Sequence, residues 1–139
     1  MTRTIAMKMG IRDGSRALFV NASATALEAI DPPPLDVAPR LACTFDYIHL
    51  FTTSREELDA TFPQLKAHLK PTGMLWVSWP KNRQLGTDLT LPEVIRIGYR
   101  HGLVESKTLS VDTTWSAIKF THPVKGKVYH NTYGQLPSR

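Results

Sequence analysis

The chain has 139 residues, 42% of them hydrophobic and 21% charged. That suits one domain with a full core and excludes disordered, fibrous and membrane-embedded classes. Its single cysteine, Cys43, excludes an internal disulfide or a thiolate metal cluster, and no apolar run reaches signal-peptide or membrane-span length, so the sequence reads as cytoplasmic and without membrane contact. The net charge of +5 is uneven: Arg3, Lys8, Arg12 and Arg16 cluster near one end, Lys119, Lys125, Lys127 and Arg139 near the other, and no acid follows Asp112. Polyanion attraction and plain self-solvation by basic side chains are both consistent with this.

Residues 16–21 (RALFVN) predict a short buried strand launched by the turn Arg12-Asp13-Gly14-Ser15. A short helix follows over residues 23–28, with Thr25 and Glu28 at capping-box spacing, and Asp31-Pro32-Pro33-Pro34 ends it. The proline-broken stretch to Cys43 leaves room for one short edge strand near Leu35 to Val37. Residues 45–52 (FDYIHLFT) predict the next strand. A helix capped by Ser54 and Glu57 then carries Leu58, Phe62, Leu65 and Leu69 at helical spacing, with Pro63 either kinking it or dividing it.

Pro71-Thr72-Gly73 reads as a turn into the apolar strand Met74 to Trp79, and a polar loop runs from Lys81 to Asp88. Thr90 and Glu93 predict a capped helix with Pro92 in its first turn and Gly102 at its end. Residues 103–111 and 115–121 form a closing pair of strands joined by Asp112-Thr113-Thr114. The expected organisation is one domain over residues 1–121 and a basic tail over 122–139.

Alternating strands and helices of this kind predict an α/β fold, a Rossmann-like three-layer sheet that binds ligands beyond the carboxyl ends of its strands. The order over residues 45–121 resembles the second half of the class I S-adenosylmethionine-dependent methyltransferase fold, which closes with an antiparallel hairpin. The segments FDYIHLF, GMLWVSWPK, DLT, GLVESK and VDTTWSAIKF resemble a small bacterial family of uncharacterised proteins with such a domain, the DUF3052-like family. The resemblance spans Lys8 to about Phe120 and implies a mostly parallel sheet, shortened around its second and third strands, and no established activity.

Methyltransferases of that class place a glycine-rich turn after the first strand, so that backbone approaches the cofactor, and an acid at the end of the second to hold its ribose. Here the turn is Asn21-Ala22-Ser23-Ala24-Thr25, and no glycine lies between Gly14 and Gly73. The acids on offer are Asp31 and Asp36, in proline-broken sequence. The main expectation is therefore a non-catalytic member binding a small molecule or a protein partner, with no firm cofactor. An S-adenosylmethionine-dependent methyltransferase is the alternative.

The strand ends nominate Asn21, Ala22, Ser23, Thr52, Thr53, Trp79, Lys81, Asn82 and Asp88 as ligand-binding candidates. Lys81 and Asp88 bracket a loop; the pair suits phosphate or carboxylate binding, base chemistry, or simply a surface salt bridge that organises the loop. Trp76 reads as core, Trp115 as cover for a sheet edge, and Trp79 as either core or a stacking platform. His49 within its strand reads as a hydrogen-bonded structural residue rather than a catalyst. No metal-ligand spacing occurs, and no catalytic residue can be named. The turn at Ala22 to Thr25 is the only predicted helix start without an immediate acid. Lys125, Lys127, Tyr129 and Tyr133 interleave charge with aromatic rings, a pattern suited to nucleic acid, to an arm on a second copy in a homo-oligomer, or to a loosely held terminus.

Overall fold

Most strands are rich in apolar and aromatic residues, and a hydroxyl residue precedes each helix. In the computed structural model, which describes residues 3–137, six strands form one sheet: β1 (Arg16–Val20), β2 (Asp36–Val37), β3 (Phe45–Phe51), β4 (Leu69–Pro80), β5 (Val104–Ser110) and β6 (Trp115–Thr121). Arg139, counted above with the basic tail, lies outside the described residues. The strand order is β2-β1-β3-β4-β6-β5. β1, β2, β3 and β4 pair in parallel, and β6 runs antiparallel to both β4 and β5. This is the Rossmann-like sheet with its closing antiparallel strand. β2 has only two residues, and residues 38–44 lead directly from it into β3, which leaves the sheet short on that side.

Four helices cover the two faces. α3 (Arg55–Lys66) and α4 (Leu91–Arg100) bury Leu58, Phe62, Leu65, Val94, Ile95 and Ile97 against Ile48, Leu50, Leu75, Val77, Ile118 and Phe120. α1 (Ile5–Met9) and α2 (Ala24–Ile30) bury Ala6, Met9, Ala26 and Ile30 against Ala17, Tyr47, Phe51, Trp76 and Trp115. The alternation along β3 and β4 that sends successive side chains to opposite faces produces these two cores. No helix among the described residues is long and apolar enough to cross a membrane.

Several local expectations change. α1 is an additional helix, started by Thr4, whose hydroxyl accepts the Met7 amide at 3.1 Å, and ended by Gly10 at φ 79°. The α2 cap is Ser23, accepting the Ala26 amide, rather than Thr25. α3 passes through Pro63 as one helix. The Pro71-Thr72-Gly73 turn is absorbed into β4: Phe45 pairs with Leu69 and Tyr47 with Met74, so the extra residues bulge out of β4 and the strand begins five residues earlier than expected. Gly73 allows this, because a Cβ there would stand 2.9 Å from the Phe45 carbonyl oxygen. Thr90 precedes α4 without a side-chain cap bond. Trp115 does not cover an edge, since β6 is interior to the sheet and the indole meets Phe51 edge-on at 5.3 Å. The tail returns over α4 and β5: Asn131 donates to Glu105 at 2.8 Å, and Tyr129 and Leu136 pack on the core.

Candidate functional site

The carboxyl edge of the parallel strands gathers the ends of β1, β3 and β4 and the start of β6. Trp79, Pro80, Lys81 and Asn82 leave β4 there, Leu89, Thr90 and Leu91 enter α4, and Ser116 comes from β6; together with Arg83 they line an open groove of about 470 Å³. Apolar side chains (Trp79, Leu89, Leu91) and polar ones (Lys81, Asn82, Arg83, Thr90, Ser116) share its lining. Trp79 is 5% exposed and belongs to the α3/α4 core, so it serves as core and as groove wall at once.

The loop shaping the groove, Lys81–Gly86, holds Asn82, Arg83 and Leu85 at φ 50°, 58° and 55°. Each left-handed non-glycine residue costs about 1–2 kcal/mol. Tertiary bonds hold the loop in place. The Lys81 amide donates to the Thr114 carbonyl at 2.7 Å, and its ammonium donates to Ser110 Oγ and the Asp112 carbonyl. Gln84 Nε2 donates to the Thr113 carbonyl at 3.0 Å. Asp112 in turn accepts the Thr114 and Trp115 amides through Oδ1, at 2.8 and 2.7 Å, which fixes the β5–β6 connection against the loop.

The expected Lys81–Asp88 pair does not form. Asp88 accepts the Arg55 amide at 2.8 Å and faces the Arg55 guanidinium at 3.4 Å, and these bonds, the amide bond first, hold its carboxyl below the usual range. The left-handed residues between the two positions turn Lys81 toward β5–β6 and Asp88 toward α3. Lys81 therefore braces the groove against the β5–β6 connection.

The structure thus brings Trp79, Lys81 and Asn82 together and separates the other candidates from them. Thr53 contributes its carbonyl, which accepts from Thr87 Oγ1 at 2.6 Å. Thr52 is buried, and its Oγ1 is the one buried side-chain polar atom without a hydrogen-bond partner among the described residues. Arg83, Leu89, Thr90, Leu91 and Ser116 were not nominated by sequence; only the antiparallel register that sets Ser116 opposite Trp79 places Ser116 there.

The β1 end tests the fit of S-adenosylmethionine. Asn21 adopts φ 56° after β1 and donates to Glu57 at 3.5 Å; Ala22 is exposed; Ser23 Oγ is taken up by the Ala26 amide and Thr25. α2 has seven residues, and the amide of its third, Ala26, meets this cap. Asp31 is the left-handed residue closing α2. Asp36 pairs with Arg16 at 3.8 Å and stands opposite the first residue of β1, at the far end of that strand from the turn. The chain supplies neither a glycine turn nor a β2 carboxylate at the carboxyl edge, so these residues do not fit the cofactor in the manner usual for the fold.

His49 lies inside the α1/α2 core, between Tyr47 (Oη to Nδ1, 2.7 Å) and Ser78 (Nε2 to Oγ, 2.7 Å), with its ring stacked on Phe51 at 4.3 Å. Burial lowers its pKa to about 3 and pushes the Tyr47 phenol far up, so the three groups form a neutral hydrogen-bonded unit closed to solvent. No group of three or more metal-ligating side chains occurs among the described residues. In the tail, Lys127 sits over the Tyr129 ring at 5.0 Å and Tyr129 Oη accepts the Val124 amide, so that ring is already used within the chain; Lys125 is exposed and Tyr133 43% exposed.

No protein-family model matches the chain, and no curated protein matches it. Solved structures do. A methyltransferase from Pyrococcus furiosus aligns over 86% of this chain and 81% of its own at 15% identity, TM-score 0.58. Magnesium protoporphyrin IX methyltransferase from Synechocystis, with bound SAM, aligns over 86% and 74% at 10% identity, TM-score 0.56. A TehB-like SAM-dependent methyltransferase from Corynebacterium glutamicum aligns over 85% of each chain at 10% identity, TM-score 0.54. At these identities the likeness is one of fold, and the chain has the Rossmann-like fold of the class I methyltransferases.

Proposed function

We propose that this chain is a ligand-binding domain on the methyltransferase fold, taking a small molecule with an apolar or aromatic body and an anionic group at the carboxyl-edge groove, without methyl transfer. The groove carries the reading: Trp79, Leu89 and Leu91 offer an apolar wall, and Arg83 an exposed cation that makes no ion pair among the described residues. Concave, largely apolar sites with a few polar groups are the usual form of small-molecule pockets. Membership of the DUF3052-like family belongs to the same proposal. A ¹⁵N-resolved NMR screen with carboxylate- and phosphate-bearing aromatic fragments tests it. Shifts clustering on the Trp79 indole and on residues 81–83, 89–91 and 116, and weakened by Arg83→Ala, are expected. Shifts confined to residues 21–25, or none on folded protein, would overturn it.

A second reading, S-adenosylmethionine-dependent methyl transfer, draws support from the methyltransferases that share the fold. It requires the cofactor to be held without the glycine turn and the ribose acid, and titration with the cofactor separates the two readings.

A further inference from the structure

The opposite, amino edge of the sheet holds a second cavity, of about 450 Å³, framed by the end of α1, the start of β1, the β4 bulge and the end of β6. It joins one cation from each of the two basic stretches of the sequence, Arg12 and Lys119. Neither makes a side-chain hydrogen bond or ion pair among the described residues. The Lys119 ammonium lies against the turn after α1, where a Cβ on Gly10 would stand 3.9 Å from Nζ. Burial, and then the like charge of Lys107, lower its pKa, which marks a cation held in a place that does not favour it.

The cavity's one acid gives no relief. Asp46 already accepts the Arg16 amide at 2.9 Å through one oxygen and Lys70 at 3.0 Å through the other, and the Arg16 bond leads in holding its carboxyl below the usual range. Ser15, Thr72 and Thr121 also line the space, and none of their hydroxyls is used in a side-chain hydrogen bond among the described residues. A larger depression of about 550 Å³ between α4 and the tail is weaker by comparison, because its arginines, Arg96 and Arg100, are paired with Glu93 and Asp59.

We infer that the amino-edge cavity is a phosphate site, in which Lys119 and Arg12 supply the charge and Ser15, Thr72 and Thr121 the neutral donors to a phosphate dianion, free or carried by a small ester. Two cations with several hydroxyl donors match a tetrahedral group of negative oxygens better than a planar carboxylate, and charge-assisted bonds to such a group are the strong ones. The cavity has room for an ester's carbon skeleton beside the phosphate. The site is independent of the carboxyl-edge groove, so either stands if the other fails.

The test is an NMR titration of the full chain with inorganic phosphate and with glycerol 3-phosphate, against sodium chloride at matched ionic strength. The expected result is saturable millimolar or tighter binding that shifts the amides of residues 10, 12, 15, 73, 119 and 121. It should weaken about tenfold in Lys119→Gln and persist in Lys125→Gln. Tighter binding of inorganic phosphate points to the free ion, and tighter binding of glycerol 3-phosphate to an ester. Arg12→Gln, at an exposed side chain, repeats the test if Lys119→Gln is poorly folded. Shifts reproduced by chloride, affinity indifferent to both substitutions, or stronger and steeply salt-dependent binding of an oligonucleotide spread over the tail would each overturn the inference.

Discussion

Below about pH 6 the folded state is expected to lose stability by about 1.4 kcal/mol per pH unit through His49 alone. The folded pKa is depressed to about 3, by burial, from an ordinary 6.5. Between those values the unfolded chain binds a proton that the native chain refuses. The contribution is therefore complete above about pH 6.5 and is lost progressively as pH falls through the window toward 3. The hydrogen bonds to Tyr47 and Ser78 are not the cause, because hydroxyls can accept from a charged ring as readily as they serve a neutral one; the cause is removal from water. The lowered carboxyls of Asp46, Asp59 and Asp88 act in the same direction, but only as pH falls through their ordinary 3.8 and below, so the interval from about 6.5 to 4.5 lies above their contribution. Urea unfolding across that interval reads the slope, and a His49→Gln variant should flatten it whatever its own stability. A His49 imidazole that titrates near 6.5 by NMR in the native protein would refute this.

Gly98→Ala should destabilise the protein by about 3 kcal/mol, although alanine is the better helix former by about 1 kcal/mol. Gly98 lies inside α4 and faces the sheet, where a Cβ would stand 2.8 Å from Phe120 Cδ1, 2.5 Å from Cζ and closer still to Cε1. The ring cannot swing aside, since it is fully buried and Phe62 meets it edge-on at 5.3 Å. α4 is thus seated through a glycine notch filled by one aromatic ring. In a Phe120→Leu background the same alanine should cost little or even stabilise, a coupling that a double-mutant cycle of denaturation midpoints measures directly. A neutral or stabilising Gly98→Ala in the parent chain would mean that α4 sits farther from the sheet than described.

What could be read from sequence follows a physical divide. Elements whose signal is local were legible: β3 and β6 from their closely spaced apolar and aromatic residues, α3 from the Ser54 cap and its spaced apolar residues, the end of α4 from Gly102 at φ 88°. α1 was not, because five residues make no stable helix alone and this one exists by burying Ala6 and Met9. The Pro71-Thr72-Gly73 segment carries turn chemistry, yet pairing with Phe45 outweighs it and makes a bulge. The site divides the same way. Trp79, Lys81 and Asn82 follow from where β4 ends. Lys81 and Asp88 were paired on sequence proximity, while their true partners, Ser110, Asp112 and Arg55, are distant in the chain. Arg12 with Lys119 is the same lesson in reverse, two separate basic stretches joined only by the meeting of α1 and β6.

Calorimetric titration of the folded protein with S-adenosylmethionine and S-adenosylhomocysteine tests the central claim most directly. The two-residue β2, the Asp36–Arg16 pair and the glycine-free turn at Asn21 predict no saturable heat up to millimolar ligand. Micromolar binding of either compound would contradict this, show that the chain holds the cofactor by other means, and favour the methyltransferase reading.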